Sequence, residues 1–172
     1  MRLASGENEA AGEALWRFSL ALYARPDVAG ALIAIQDRAG SDVNVILFGL
    51  WLGVTKGRLL GTAELAAAEA AAAPINELGV APLRRLRQKL KPAADPAIQA
   101  MRQRIAGLEI AAERWVLHRL AASLPGAAHI APEGGPIGAA EANLALALGD
   151  ESGSPEADVV RRALAALTRR AG

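Results

Sequence analysis

Apolar residues recur every three or four positions over most of this chain, and that spacing predicts α-helices. The clearest case is residues 43–54, VNVILFGLWLGV, which are apolar almost all the way round a helix. A helix that is hydrophobic on every side is stable only when other elements surround it. Residues 43–54 are therefore predicted to form a buried central helix.

Turn and capping residues divide the rest of the chain into further helices. Pro26 suits the first turn of a second helix that ends at Gly40. Ser41 or Asp42 can then cap the central helix by accepting hydrogen bonds from its free backbone amides. Similar signals predict an alanine-rich helix running towards Pro74 and a basic helix between Pro82 and Pro92. A long helix is predicted to begin at residues 95–96 and to end near residue 124.

The C-terminal quarter is interrupted by proline and glycine. Residues 125–138, PGAAHIAPEGGPIG, are predicted to form a loop. A short alanine-rich helix and a final amphipathic helix are predicted after it. This pattern divides the chain into a core domain (residues 1–124), the loop, and a C-terminal helical pair (residues 139–172) packed on or appended to the core. The predicted fold is all-α: a compact single-domain bundle of about six to eight helices around residues 43–54.

Composition supports one helical domain. The chain has 172 residues, of which 52% are hydrophobic but only 3% aromatic, and alanine supplies much of the excess. Cysteine is absent, which excludes disulfides, thiolate nucleophiles and cysteine-ligated metal sites. The longest apolar run is far shorter than the ~20 residues of a membrane span, and acids near the N-terminus argue against an export signal. We therefore expect a cytoplasmic protein with no membrane span.

Three sequence blocks resemble a known family. They are LWRFSLALYARPDV at residues 15–28, IQDRAGSDVNVILFGLWLG at residues 35–53 and VAPLRRLRQKLK at residues 80–91. Together they resemble a family of small, functionally uncharacterised helical proteins from proteobacteria, described only as a domain of unknown function. The resemblance covers roughly residues 13–124 and implies no reaction, ligand or catalytic residue.

The first candidate site is a polar cluster where the second and third helices meet. Gln36, Asp37, Asp42 and Asn44 lie close together in sequence between apolar segments. They could form the polar floor of a small-molecule pocket. Alternatively, Asp42 caps the third helix while Gln36 and Asn44 bond backbone groups. The walls of such a pocket would be aromatic: Trp16, Tyr23 or Trp51.

A second cluster lies on the long helix. Glu109 and Glu113 are four residues apart, so their mutual repulsion destabilises the helix by a few tenths of a kcal/mol unless a nearby positive group neutralises it. The structural interpretation is solvation or an ion pair with Arg17, Arg38 or another base. The functional alternative is a divalent metal bound jointly with Asp37 and Asp42, since magnesium and manganese prefer oxygen ligands. No Glu-x-x-His motif supports it, so no metal or other cofactor is predicted and these four carboxylates remain a minor alternative.

The third cluster is basic. If the segments on either side of residues 91–95 fold back as a hairpin, Arg84 and Arg87 come near Arg102 and Arg104. Four guanidinium groups at one end could hold a phosphate or a carboxylate. The structural alternative is a solvated face that pairs with acids elsewhere in the fold.

These clusters give two functional hypotheses. The leading one is a non-catalytic binding or interaction module, whose basic hairpin contacts an acidic protein partner or a small anionic ligand. The alternative is a small-molecule-binding protein, or a metal-assisted enzyme acting on a phosphorylated ligand, with its pocket near residues 36–44. The net charge of +1 and the lack of interleaved aromatic residues argue against nucleic acid. Apolar faces on the last two helices are compatible with a homodimer.

Overall fold

Helices make up the secondary structure of the described residues, 2–123 and 134–169, in the computed structural model. There is no β-strand among them, which confirms the all-α prediction. The helices are α1 (Arg2–Tyr23), α2 (Val28–Ala39), α3 (Val43–Lys56), α4 (Thr62–Ile75), α5 (Ala81–Lys89), α6 (Pro96–Ala122), α7 (Gly135–Leu148) and α8 (Pro155–Thr168).

Helix α3 is the centre of the bundle, as its all-round apolar sequence predicts. Every residue from 43 to 53 is buried, and α1, α2, α4, α6 and α7 all contact this helix. Asp42 caps its first turn, where the side-chain Oδ1 accepts a hydrogen bond from the backbone N–H of Asn44 at 2.8 Å. At the other end, Gly57 adopts a left-handed conformation with φ 60°, which favours glycine.

Helix α7 packs closely along α3. A Cβ atom at Gly53 would overlap the backbone of Ala140 and would lie 2.8 Å from the carbonyl carbon of Ala139, so only glycine permits this approach. One turn along, the buried Asn143 side chain donates to the carbonyl oxygens of Gly49 at 2.9 Å and Arg58 at 2.8 Å. Helix α7 therefore shares the core of α3.

Helix α7 begins earlier than the sequence predicts. Residues 135–138, which were expected to belong to the loop, form its first turn. Pro136 explains the difference, because a proline in the first helical turn lacks only an amide that would have no partner there. The rest of the predicted loop, and the predicted end of the long helix at Leu124, lie outside the described residues.

The alanine-rich helix α4 continues past Pro74. Pro74 lies inside α4, and a π-helical turn, Asn76–Val80, carries the chain directly into α5. The proline removes one backbone donor, and local changes in helical pitch of this kind accommodate such a loss. As a consequence, Asn76 comes to lie beside the start of α3.

Helices α5 and α6 form an antiparallel hairpin, as predicted. Asp95 caps α6 by accepting from the backbone N–H of Ala97 at 2.7 Å. The side chain of Gln99 donates back to the carbonyl oxygens of Leu90 and Ala93, at 3.1 and 2.6 Å, and closes the turn. This hairpin brings the basic face of α5 against the middle of α6.

No single helix among the described residues is long and apolar enough to cross a bilayer. The segments Gly6–Tyr23 and Val28–Ala39 meet the length and composition test only as a pair, and they are bent by 103° relative to each other.

Candidate functional site

A cavity of about 540 Å³ opens where α2 meets α3, and we call it the junction cavity. The C-terminal end of α1, the π-helical turn, α5 and the middle of α6 complete its walls. Its polar lining combines carboxylates, guanidinium groups, amides and one phenol. These residues are Tyr23, Gln36, Asp37, Ser41, Asp42, Asn44, Asn76, Arg84, Arg87, Gln88, Glu109 and Glu113.

Two arginines of α5 bind two glutamates of α6 across one side of the cavity. The Nε of Arg84 donates to Glu109 Oε1 at 2.9 Å, and its Nη2 donates to Glu113 Oε1 at 2.8 Å. The Nε of Arg87 donates to Glu109 Oε2 at 2.5 Å, and its Nη2 donates to Glu109 Oε1 at 3.2 Å. Glu109 therefore receives three hydrogen bonds and holds both arginines in place.

The charge of Glu109 is stabilised by this arrangement. Its residue is only 5% exposed, and burial by itself would raise the pKa of the carboxyl group. The hydrogen bonds and charges of Arg87 and Arg84 outweigh that effect, so the pKa of Glu109 lies below its usual value. Glu109 is thus a permanently ionised part of the cavity wall near neutral pH.

Glu113, one helical turn further along, behaves in the opposite way. Burial raises the pKa of its carboxyl group, the charge of Glu109 raises it further, and Arg84 only partly opposes them. Burial and the charge of Glu113 also raise the pKa of the nearby Tyr23 phenol to about 12. Burial is the largest cause of both shifts, and it favours the neutral form of each group.

Asp42 has both a structural role and a place in the cavity. Besides capping α3, its Oδ2 accepts a hydrogen bond from the side-chain amide of Asn76. Burial nevertheless raises the pKa of Asp42, although the hydrogen bonds from Asn44 and Asn76 act against the shift. A further positive group in the cavity would relieve this penalty.

The fold brings most of the predicted site residues together. Those of the first cluster line the junction cavity: Gln36, Asp37, Asp42 and Asn44. The glutamates of the second cluster and two arginines of the third line it too: Glu109, Glu113, Arg84 and Arg87.

Trp51 does not line the cavity. It is 3% exposed and packs in the core beside Phe48, with their ring centroids 6.4 Å apart. Residues around α3 point in all directions, and sequence alone did not show which direction faces the cavity. Among the aromatic residues considered as walls, Tyr23 is the one in the lining.

Two of the four arginines of the predicted basic cluster are engaged within the chain. Arg84 and Arg87 bind glutamates of the same chain instead of remaining free for a partner. Arg102 and Arg104 lie nearer the hairpin turn and are not part of the cavity lining. The physical reason is that the hairpin also brings Glu109 and Glu113 to the arginines, and a partly buried guanidinium binds carboxylates in preference to remaining unpaired.

The carboxylates considered for a metal do not form a metal site. No group of three or more histidine, aspartate or glutamate residues in the described ranges is arranged to hold a metal ion. Both oxygens of Glu109 already accept hydrogen bonds from arginine, and both oxygens of Asp42 accept from amides. Asp37, Asp42, Glu109 and Glu113 thus surround a cavity without converging on one point.

Two of the polar lining residues, Asn76 and Gln88, were not predicted from the sequence. No local pattern marks Asn76 or Gln88 as a site residue, and only the packing of α4 and α5 places them at the cavity. The arginine–glutamate pairing did have a sequence signal. Arg84 and Arg87 are three apart, Glu109 and Glu113 are four apart, and a short turn joins their two helices, so each pair presents its charges on one helix face.

Comparison with known proteins identifies a family but assigns no function. Neither a curated protein nor a solved structure matches the chain. A family model described as "Protein of unknown function (DUF2390)" matches residues 14–120, more than half of the chain. These residues include α3 and all the residues that line the junction cavity. The chain therefore belongs to this family of proteins of unknown function.

Proposed function

We propose that the protein binds a small polar molecule with a cationic group, such as an amine, in the junction cavity. The volume of about 540 Å³ falls within the range of small-molecule sites, roughly 300–1,000 Å³. The observation that carries the proposal is the balance of charge, since four carboxylates and only two guanidinium groups line the cavity.

The hydrogen bonds support a cationic ligand over an anionic one. Arg84 and Arg87 already donate to Glu109 and Glu113, so a phosphate would have to compete with partly buried carboxylates for them. By contrast, the Oε2 of Glu113 and the carboxylate of Asp37 accept no hydrogen bond from the described residues. An ammonium group could bind to these oxygens without displacing any existing partner.

The site offers specificity as well as charge. The amide of Gln36 and the phenol of Tyr23 provide polar groups around the rim, while Ile33 and Ile110 provide apolar surface. A ligand that combines a cationic end with a short hydrocarbon chain fits such a lining. No catalytic step is part of this proposal, and the cytoplasmic location predicted from the sequence stays a prediction.

Isothermal titration calorimetry with three probes tests the proposal. Putrescine and agmatine are the cationic probes, and inorganic phosphate is the anionic probe. We expect the amines to bind and phosphate not to bind. Since the pKa of Glu113 is raised, amine affinity should increase as the pH rises through that pKa and the carboxyl group loses its proton.

A pair of matched variants locates the site. Glu113→Gln removes one carboxylate from the cavity, and we expect it to weaken amine binding about tenfold or more. Glu69→Gln makes the same change on an exposed position of α4 and should leave the affinity unchanged. Binding of phosphate in preference to both amines, or equal affinity in the two variants, would contradict the proposal. Native mass spectrometry of gently purified protein would then show whether any small molecule is retained.

A further inference from the structure

The outer side of α6 carries a row of large apolar residues in contact with solvent. Met101, Leu108 and Trp115 are 46%, 58% and 67% exposed, respectively. They are seven residues apart, which is close to two helical turns, so they lie on one side of the helix. With a rise of ~1.5 Å per residue, the row extends over roughly 21 Å. We call these three residues and the side of α6 around them the α6 face.

Small residues flank this row. Ala100, Gly107 and Ala111 are exposed on α6, and a Cβ added at Gly107 would meet no atom within 4 Å. Small side chains let the backbone of a second helix approach closely, while the larger ones fill the spaces between its side chains. The α6 face therefore combines large and small exposed residues, a mixture that lets a second helix pack closely.

The charge of the α6 face has one sign. The exposed charged residues of α6 are Arg104, Arg114 and Arg119, whereas its two acids, Glu109 and Glu113, are directed into the junction cavity. Arg114 binds Glu13 of α1. Within the described residues, Arg104 and Arg119 form no ion pair. A partner with acidic groups would complement the charge of these two arginines.

We propose that the α6 face binds an amphipathic helix of another protein, one with an apolar seam and acidic flanks. Two helices that pack side by side use this combination of apolar residues spaced by seven and complementary flanking charge. A second copy of the chain fits less well, because two α6 faces packed together would bring arginines but no exposed α6 acid to the interface. This site is separate from the junction cavity, and it does not depend on the ligand proposed there.

Two designed peptides test the proposal by fluorescence anisotropy with the full chain. Both form the same amphipathic helix with a leucine seam, but one has glutamate and the other lysine on its flanks. We expect the glutamate peptide to bind at least about tenfold more tightly at low salt. Its affinity should fall as salt is added, since exposed charges are screened.

Variants on α6 assign the binding to this face. Trp115→Ala removes the largest apolar residue and should weaken the glutamate peptide about tenfold or more. Ile137→Ala, at an exposed apolar residue of α7, is the matched control and should have no effect. The double change Arg104→Glu and Arg119→Glu should reverse the preference, so that the lysine peptide binds more tightly. Arg162→Glu, at an exposed arginine of α8, should leave the preference unchanged.

Several results would overturn the proposal. Equal affinity for the two peptides, no binding of either, or full binding to the Trp115→Ala variant would each do so. Sedimentation velocity provides a further test, because a dimer that Leu108→Gln converts to monomers would identify a second copy of the chain as the occupant. Thermal melting of every variant confirms that the exposed substitutions leave the fold intact.

Discussion

Two glutamates on one helix show how much the immediate environment of a residue decides its chemistry. Glu109 and Glu113 differ by one turn of α6, and both contact Arg84. Glu109 also binds Arg87, and the two arginines together more than offset the cost of burial. Glu113 has only the one arginine, and burial prevails. The pKa shifts of the two carboxyl groups therefore have opposite signs.

Replacing each glutamate by glutamine should produce opposite pH dependences of stability. The folded-state pKa of Glu109 is lowered, so its contribution is present above the unfolded value near 4.5 and is lost as the pH falls through the folded value. We expect Glu109→Gln to reduce the free energy of unfolding by about 3 kcal/mol at neutral pH, because two arginines lose a buried partner. This difference should shrink in acid.

For Glu113 the sign is reversed. Its folded-state pKa is raised, so its contribution is present below about 4.5 and is lost as the pH rises through the folded value. The Glu113→Gln variant should therefore gain stability relative to the parent chain between acid and neutral pH. Urea unfolding of the three proteins across this pH range measures both effects. Parallel stability curves for the two variants would show that the environments do not differ as described.

At the scale of the helices, close packing of α3 and α7 depends on one glycine. Gly53 sits where the backbone of Ala140 leaves no room for a side chain. Asn143 donates hydrogen bonds to the carbonyl oxygens of Gly49 and Arg58, and its Oδ1 accepts one from the backbone N–H of Leu60 at 2.7 Å. Shape and hydrogen bonding together thus hold α7 against the central helix.

Two glycine-to-alanine changes separate helix propensity from packing. Gly30 lies inside α2 with no atom within 4 Å of an added Cβ, so Gly30→Ala should stabilise the protein by up to about 1 kcal/mol. Gly53→Ala should instead destabilise it by roughly 2 kcal/mol, because overlap with the α7 backbone outweighs the same gain in propensity. Thermal or urea unfolding measures both. Stabilisation by Gly53→Ala would mean that α7 does not pack as closely as described.

At the scale of the whole molecule, the C-terminal helices belong to the same packed unit as the rest. Helix α7 buries Ala139, Ala140 and Leu144 against its neighbours, and α8 packs on α2. Arg38 of α2 also binds Glu151 and Glu156, each at 2.8 Å. These ion pairs are partly exposed and contribute little to stability, so apolar packing is the main attachment.

A chain that ends at Ser123 should lose cooperative unfolding. Removing α7 exposes one side of α3, and each large apolar residue returned to water costs roughly 1.5–3 kcal/mol. Several such residues together approach the total stability of an ordinary domain, about 5–15 kcal/mol. Differential scanning calorimetry of the shortened chain measures this loss, and adding a peptide of residues 134–169 should restore a transition. A shortened chain that unfolds cooperatively by itself would identify the C-terminal pair as an appended unit.

Sequence by itself determined the features of this protein that depend on local interactions. Helix formation follows from apolar spacing, the caps at Asp42 and Asp95 act on amides two or three residues away, and the burial of α3 follows from its all-round apolar surface. Short-range patterns also identified the polar residues between α2 and α3 and the pair of glutamates on α6. Each of these inferences involves groups within a few helical turns of one another.

Only the tertiary structure decided which distant groups meet. Packing of the hairpin against the α2–α3 junction put Glu109, Arg84 and Asp42 around one cavity. Trp51 does not face this cavity and is buried in the core. The partner of each charge depends on helix contacts that no local pattern encodes, and burial then favours the pairs that satisfy most hydrogen bonds. For that reason Arg84 and Arg87, which were expected to face a partner, became part of an internal network.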